Sequence, residues 1–541
     1  MDNTLPDFNE ISEKLKALEN RLSRIENYLR MPAEETGEDN IPQLEAKISR
    51  SEEEIEMRIG SFWLPKIGVF AFLIGIAFFL TQPLAGVNPF IPPLGTYILS
   101  LLIVLLSKKL KKEYSDLSGY LFGGSAGIAF IATLRLHYFT SAPLISNDYI
   151  EFILLFLVAA PTMGYAIMNR SIYILGLGLL MGYVSALITD SAFVLIPIIM
   201  LLSIFQVIIS IRYEWKGLLP FGIVFSNLFH LSWAVNNPLI GKALEISKVN
   251  GGLVVFLLLY SIIYSIGIIK RKNNLSEEIS DTVIILLNSV GVYFLFLLLT
   301  LMNQTPVFPF YHLLASAVFL AIACAFWVKE RSKDMTYVLA MTGYAALSVS
   351  IIFQFGAPDK FILLCLQSLL VLSTAIWFRS KFIIFTNFII FCGTIAAYLF
   401  FDFRADAFAV CFGIVGLVSA RVLNWKRESL DFSTEKLRNG YLLITLILFP
   451  YTFGWVLPDM FAGLAMLALA LFYFGISKLL HNFKYRYMSV LTLVISALYL
   501  MILGFTNADV SDKITSFIAS GIVLVLISAV YSRMKKTAAK Q

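Results

Sequence analysis

Four histidines and four cysteines in 541 residues leave little material for metal or redox chemistry. Cys324, Cys365, Cys392 and Cys411 all lie in apolar stretches, with no Cys-x-x-Cys spacing and no histidine beside them. That spacing speaks against a disulfide framework or a zinc site; free cysteine in apolar sequence behaves as a small hydrophobe. Charge is scarce as well, at 14% of residues, against about 25% in soluble domains. Catalytic signatures are missing: no H-E-x-x-H, no P-loop and no dinucleotide-binding fingerprint occurs. The stretch Pro83 to Pro89 lacks the acidic cluster that many polyprenyl-dependent membrane glycosyltransferases carry in their first outer loop. No enzymatic activity, cofactor or metal is expected.

What the chain has is apolar sequence, 58% of all residues, with a mean hydropathy of +0.79. It falls into eighteen segments, at about 62–82, 90–107, 119–139, 148–168, 171–189, 192–211, 217–235, 250–269 and 279–301 in the first half. The second half continues at about 308–328, 335–355, 360–378, 381–401, 404–423, 437–457, 459–477, 484–505 and 512–532. Segments of about 20 apolar residues are the length of a membrane-spanning helix. The expectation is an all-α polytopic integral membrane protein with about eighteen transmembrane helices in sequential hairpins. Residues 1–61 form a cytoplasmic helical segment, 62–532 the transmembrane domain and 533–541 a basic cytoplasmic tail. No short apolar core opens the chain, so the first span is the expected insertion signal.

Lys and Arg fall in every second gap of this ladder. Of the 42 basic residues, 27 lie in one set of gaps, among them Lys108, Lys109, Lys111, Lys112 and Arg170, against six in the other set and nine N-terminal. Acidic residues divide eleven to ten between the same gaps, the mark of a Lys/Arg rule that places the basic side in the cytoplasm. The implied location is the bacterial inner membrane, with both termini cytoplasmic. The formal charge of +6 is thereby assigned to helix ends and anionic lipid, not to nucleic acid; membrane lipids are the expected partners.

Outward-running helices begin near 119, 171, 217, 281, 336, 382, 437 and 485, a step of about 52 residues, as a recurring two-helix hairpin would give. Gly123, Gly176, Gly222, Asn288, Gly343 and Asn387 each sit in the first half of one of them. Any series of short-looped hairpins has a similar period, so duplication stays open on this ground. In the N-terminal segment, Ile11, Leu15, Leu18, Leu22, Ile25 and Leu29 alternate in steps of four and three, the seam of a coiled coil. Lys14 and Arg21 at g then face Glu19 and Glu26 at e. The expectation is self-association or docking of a coiled-coil partner; pairing of two helices within one chain is the alternative.

Gly123-Gly124-Ser125-Ala126-Gly127 has the form G-x-S-x-G, but no strand precedes it as a nucleophile elbow requires. His137 stands about 18 Å further along the same helix. Gly123 and Gly127, like Gly178 and Gly182, form G-x-x-x-G pairs that let helices approach closely. Ionisable groups inside a span are functional candidates, and no span carries an Asp or Glu near its middle, which speaks against ion-coupled transport. What remains is an outer-half set, Arg135 and His137 with Asn227 and His230, the candidate contacts for a polar or anionic substrate group. Interhelical hydrogen bonding is the competing role.

Arg58-Ile59-Gly60-Ser61-Phe62-Trp63-Leu64-Pro65-Lys66-Ile67-Gly68-Val69, Gly75-Ile76-Ala77-Phe78-Phe79-Leu80 and Leu175-Gly176-Leu177-Gly178-Leu179-Leu180-Met181-Gly182 resemble a bacterial family of predicted membrane proteins, domain of unknown function 2339. The resemblance covers residues 58 to 190 in detail and implies a coiled-coil head followed by many helices. Two features depart from it: Pro92-Pro93-Leu94-Gly95 stands where the family has an Arg, and no Pro follows Gly182. The family brings no activity. The expected function is a non-enzymatic scaffold or assembly factor of the cell envelope; the alternative is a transporter or flippase for an amphipathic substrate.

Overall fold

A computed structural model describes residues 64–504, apart from 83–87, 139–142, 246–250, 271–277, 304–305, 330–331, 403–408, 427–429 and 431–432, together with isolated positions up to 525. The heptad residues Ile11 to Leu29, the tail and most of the last expected span lie outside the described residues. Within them the fold is all-α, with no strand. A helix occupies each expected span up to residue 504. Twelve of the helices are long and apolar enough to cross a membrane, and four shorter ones are comparably apolar. Large apolar side chains such as Phe193, Met168 and Phe401 point outward, the arrangement of a multi-pass protein whose solvent is lipid.

The chain forms two compact units, Met1–Leu144 and Ile145–Gln541. The physical reason is that the first helices find their partners locally. In the first unit, α1 (Leu64–Thr81), α2 (Ile91–Leu110) and α3 (Ser115–Leu134) pack together. Pro92 and Pro93 open α2 in the first turn, where no intrahelical N–H is needed. Ser107 and Ser118 close the α2–α3 hairpin reciprocally: each hydroxyl donates to the other's carbonyl, at 2.8 and 2.9 Å. Farther along, Ser100 donates to the Ser125 carbonyl at 2.8 Å. Helix α1 lies on the glycine face of α3, where a Cβ on Gly127 would stand 3.0 Å from Leu73 Cδ2 and one on Gly124 2.7 Å from Val69 Cγ1.

The second unit begins with α4 (Asp148–Met168), α5 (Ile172–Ile188), α6 (Ala192–Tyr213), α7 (Leu218–Ala234) and α8 (Gly251–Ile269). One helical rod follows as α9 (Glu278–Leu286), a π turn (Leu287–Gly291) and α10 (Val292–Asn303). Then come α11 (Phe308–Lys329), α12 (Lys333–Gln354), α13 (Asp359–Trp377) and α14 (Lys381–Asp402). The series ends with α15 (Ala409–Trp425), α16 (Glu435–Val456), α17 (Asp459–Leu479) and α18 (Phe483–Gly504).

The six most extensively packed pairs are each joined by a basic connection: α2 with α3, α4 with α5, α11 with α12, α13 with α14, α15 with α16 and α17 with α18. Three of these connections share one turn. Arg170, Arg379 and His481 take left-handed backbone angles, and the next residue's N–H bonds back to Ala166, Ala375 and Ser477 respectively, which is the Schellman way of ending a helix. That next residue then starts the following helix, as Ser171 accepts from Ile174 N–H, Ser380 from Ile383 N–H and Asn482 from Lys484 N–H. A short stop-and-restart keeps the two helices antiparallel and in contact, because the turn pairs backbone groups at both helix ends.

Candidate functional site

The four candidates, Arg135, His137, Asn227 and His230, fall in different units. Arg135 ends α3 and is buried, its two terminal guanidinium nitrogens donating to the Gln82 carbonyl at 3.2 and 3.3 Å. It ties the end of α1 to the end of α3. His137, two residues on, lies edge-on to Tyr138 at 4.5 Å. Ser125 donates to the Phe122 carbonyl of its own helix, as a packed helical serine does and a poised nucleophile does not. Gly123 is buried.

In the second unit, Asn227 donates through Nδ2 to the Ile223 carbonyl one turn back at 2.6 Å, and its Oδ1 is buried without a partner. His230 is enclosed and lies edge-on to Trp233 at 6.3 Å and to Tyr260 at 5.9 Å. Neither His230 Nδ1 nor the Tyr260 hydroxyl has a hydrogen bond among the described residues. Gly178 and Gly182 take part in close packing: a Cβ would stand 3.1 Å from the Met163 backbone nitrogen at the first and 3.2 Å from Leu202 Cδ1 at the second.

In the same unit, a polar network joins α5, α6 and α8. Gln206 Nε2 donates to the Tyr183 hydroxyl at 3.0 Å, and the Tyr264 hydroxyl lies 2.9 Å from Ser203 Oγ and 3.2 Å from Gln206 Oε1. All four side chains are shut off from solvent. Gly222 of α7 covers them, and any side chain there would displace Gln206 and Tyr264. The glycine was visible in the sequence; its reason, a buried amide pressed against the helix, was not.

A second set of intramembrane polar groups borders a cavity of about 80 Å³ between α12, α13 and α14. Gln367 Nε2 donates to the Tyr344 carbonyl and Ser348 Oγ, both at 3.0 Å, and Asn387 Nδ2 donates to the Ser368 carbonyl at 3.1 Å. The Ser368 hydroxyl is buried and lines the cavity beside the Tyr441 hydroxyl. The lining contains no His, Asp, Glu, Lys or Arg, so it can orient one carbonyl or hydroxyl of an apolar group but has no acid or base for chemistry. An 80 Å³ space is smaller than the cavity of about 150 Å³ that holds benzene. It admits a methyl branch or a short stretch of chain.

One group was missed altogether. Glu151, in the first turn of α4, is wholly buried and neither carboxylate oxygen has a partner among the described residues. Asp281, near the start of α9, is also buried. Both lie close to helix ends, so the reading of position along the chain stands. What it overlooked is that a carboxylate near a helix end can still be enclosed sideways by other helices. Among the described residues no three His, Cys, Asp or Glu side chains converge as metal ligands.

Comparison with protein-family models, curated proteins and solved structures returned no match for this chain.

Proposed function

We propose that this chain is a non-enzymatic scaffold or assembly factor of the cell envelope. It lies in the bacterial inner membrane with about eighteen spans and both termini in the cytoplasm, and it self-associates or docks a partner through the heptad seam from Ile11 to Leu29. The observation that carries this reading is the use made of polar side chains. Ser107 with Ser118, Gln206 with Tyr183, Asn288 with Ser261, Gln367 with Tyr344 and Asn387 with Ser368 bond one helix to the next. Polar groups committed to neighbouring helices fasten a packed array; they are not free to strip the hydration shell from a passing solute. The family resemblance at residues 58 to 190 belongs to the same reading.

Two experiments test it. Single-Cys variants at Leu18, in a background free of the native cysteines, should give an intermolecular cross-link in membranes; loss of every intermolecular product would remove the oligomeric head. Reporter fusions after Lys112 and Lys272 should read as cytoplasmic, and fusions near Asn88 and Asn303 as external. Inversion at either pair would break the orientation.

A second reading, a flippase for an amphipathic substrate, is favoured by one observation, the recess between α12, α13 and α14, whose apolar wall carries the polar side chains of Gln367, Ser368 and Asn387. Under it, purified protein in proteoliposomes accelerates exchange of a labelled lipid between leaflets, and Ser368→Ala slows that exchange. Protein-free vesicles matching the wild-type rate would discard it.

A further inference from the structure

The turn between α17 and α18 holds a pocket of about 330 Å³ lined by Ser477, Lys478, His481, Asn482, Phe483 and Arg486. Three of its six lining residues are Lys, His and Arg, and none is Asp or Glu. We propose that this pocket binds the headgroup phosphate of an anionic phospholipid. The inference rests on the membrane reading of the chain but not on its scaffold role or its orientation.

Neighbouring cations show what these three residues are not doing. Lys484, in the first turn of α18, is held by Glu435 Oε1 at 2.7 Å and Asn439 Oδ1 at 2.6 Å. Arg438 is engaged by Asn424 and Glu435. Lys478, His481 and Arg486 form no ion pair among the described residues. They line the recess instead, and Arg486 Nε is buried with no hydrogen-bond acceptor among the described residues. A cationic donor that has lost water and found no acceptor is incomplete, and a phosphate oxygen supplies what it lacks. The backbone adds to this: the start of a 22-residue helix, α18, lies at Phe483 in the pocket wall, and helix starts favour negative charge.

A lipid, not a free anion, is indicated by what surrounds the pocket. Leu479 is 78% exposed, Phe483 67% and Tyr487 71%. The Lys478 ammonium lies over Phe474 and the Arg486 guanidinium over Phe483, at 5.7 and 5.0 Å from the ring centres. Basic groups over an apolar border, at the point where two apolar helices turn, match a molecule with a phosphate at one end and acyl chains below it. His481 has its place through the turn described above. The equivalent left-handed positions of the α4–α5 and α13–α14 turns hold Arg170 and Arg379, so a donor at this corner recurs in the fold.

The test is native mass spectrometry of the full-length protein, delipidated in detergent and offered phosphatidylglycerol or phosphatidylcholine. The wild type should retain one phosphatidylglycerol roughly ten-fold more strongly than the rest, as one or two charge-assisted hydrogen bonds would provide. It should show no such preference for phosphatidylcholine. Lys478→Gln with Arg486→Gln should abolish the preference, and Lys329→Gln with Lys333→Gln, the same charge change at another turn, should keep it. Equal retention of the two lipids by the wild type overturns the proposal whatever the variants do. So does displacement of the last phosphatidylglycerol by millimolar inorganic phosphate, which would mark a free-anion site. If the membrane reading itself were wrong, the protein would be soluble without detergent and carry neither lipid.

Discussion

Gly222→Ala is the substitution for which the structure gives the most definite magnitude. The added methyl would stand 2.6 Å from the Tyr264 hydroxyl oxygen and 2.8 Å from Tyr264 Cε1, and would overlap the Gln206 amide oxygen. Neither group can withdraw freely. Gln206 is held by Tyr183 at 3.0 Å, and Tyr264 by Ser203 at 2.9 Å and by Gln206 at 3.2 Å. Overpacking costs about 1–3 kcal/mol, and each interhelical hydrogen bond disturbed adds about 0.6 kcal/mol in a membrane protein. Replacing glycine inside a helix returns about 0.5–1 kcal/mol. The net loss is about 3 kcal/mol.

Gly164→Ala is the matched control, since a Cβ there meets nothing within 4 Å, and only the helical gain of about 0.5–1 kcal/mol remains. Thermal unfolding of the full-length protein in detergent, followed by tryptophan fluorescence, should place Gly222→Ala about 3–6 °C below the wild type. Gly164→Ala should lie at or slightly above it. In a Gln206→Ala background the closest overlap is gone and Tyr264 loses one of its two restraints, so the cost of Gly222→Ala should shrink by about 1 kcal/mol or more. A Gly222→Ala protein as stable as Gly164→Ala, or costs that add without coupling, would refute the packing argument.

Glu151→Leu should raise the unfolding temperature, because a buried carboxyl group with neither oxygen partnered is desolvated without compensation; a fall would mean that Glu151 has an acceptor or donor outside the described residues. Asn288→Ala removes donors to the Ser261 carbonyl and to Ser265 Oγ and leaves Ser261 pairing one-sided, a loss of about 1–2 kcal/mol by the same melting assay. Arg135→Met should loosen the tie between α1 and α3 and raise amide hydrogen exchange near Gln82, while leaving exchange around Tyr183 unchanged. Of the native cysteines, Cys365 is fully buried and should resist a small maleimide in the folded protein; labelling at the rate of the partly exposed Cys324 would contradict its position.

The sequence made the helices easy to find, since runs of apolar residues near the length of a membrane span are what lipid solvent selects. It revealed much less about which side chains meet. Asn227 and His230 share a helix face, yet one amide bonds its own helix while the imidazole packs against Trp233 of the same helix and Tyr260 of α8. Arg135 reads as a donor awaiting an anion, but a backbone carbonyl at the end of α1 takes both nitrogens. A residue's partner depends on tertiary neighbours, and periodicity within one segment carries no information about them. Glu151 was passed over for the same reason: its place near a helix end was legible, its enclosure was not.

The repeat shows the opposite case, a feature present in the sequence but sought in the wrong residues. Small or amide residues in the outward helices do contact the neighbouring helix at several points: Gly343 would bring a Cβ to 2.8 Å from Leu320 Cγ, and Asn387 bonds the Ser368 carbonyl. They differ in kind from hairpin to hairpin, because each crossing is packed separately. The turns differ far less. Ala166-Ile167-Met168-Asn169-Arg170-Ser171 and Ala375-Ile376-Trp377-Phe378-Arg379-Ser380 read A-I-x-x-R-S twice, about four steps of 52 residues apart. Both use the arginine in the left-handed region and the serine as the next helix's cap. Arginine gains nothing from that backbone state, which normally favours glycine, so its recurrence there is not what helix length alone would produce. The turn Ser477-Lys478-Leu479-Leu480-His481-Asn482 keeps the geometry with other side chains, and it is this divergent copy that opens into the basic pocket. Common geometry with changed side chains at the third turn leaves duplication open, and it places the basic pocket on a turn that the fold uses three times.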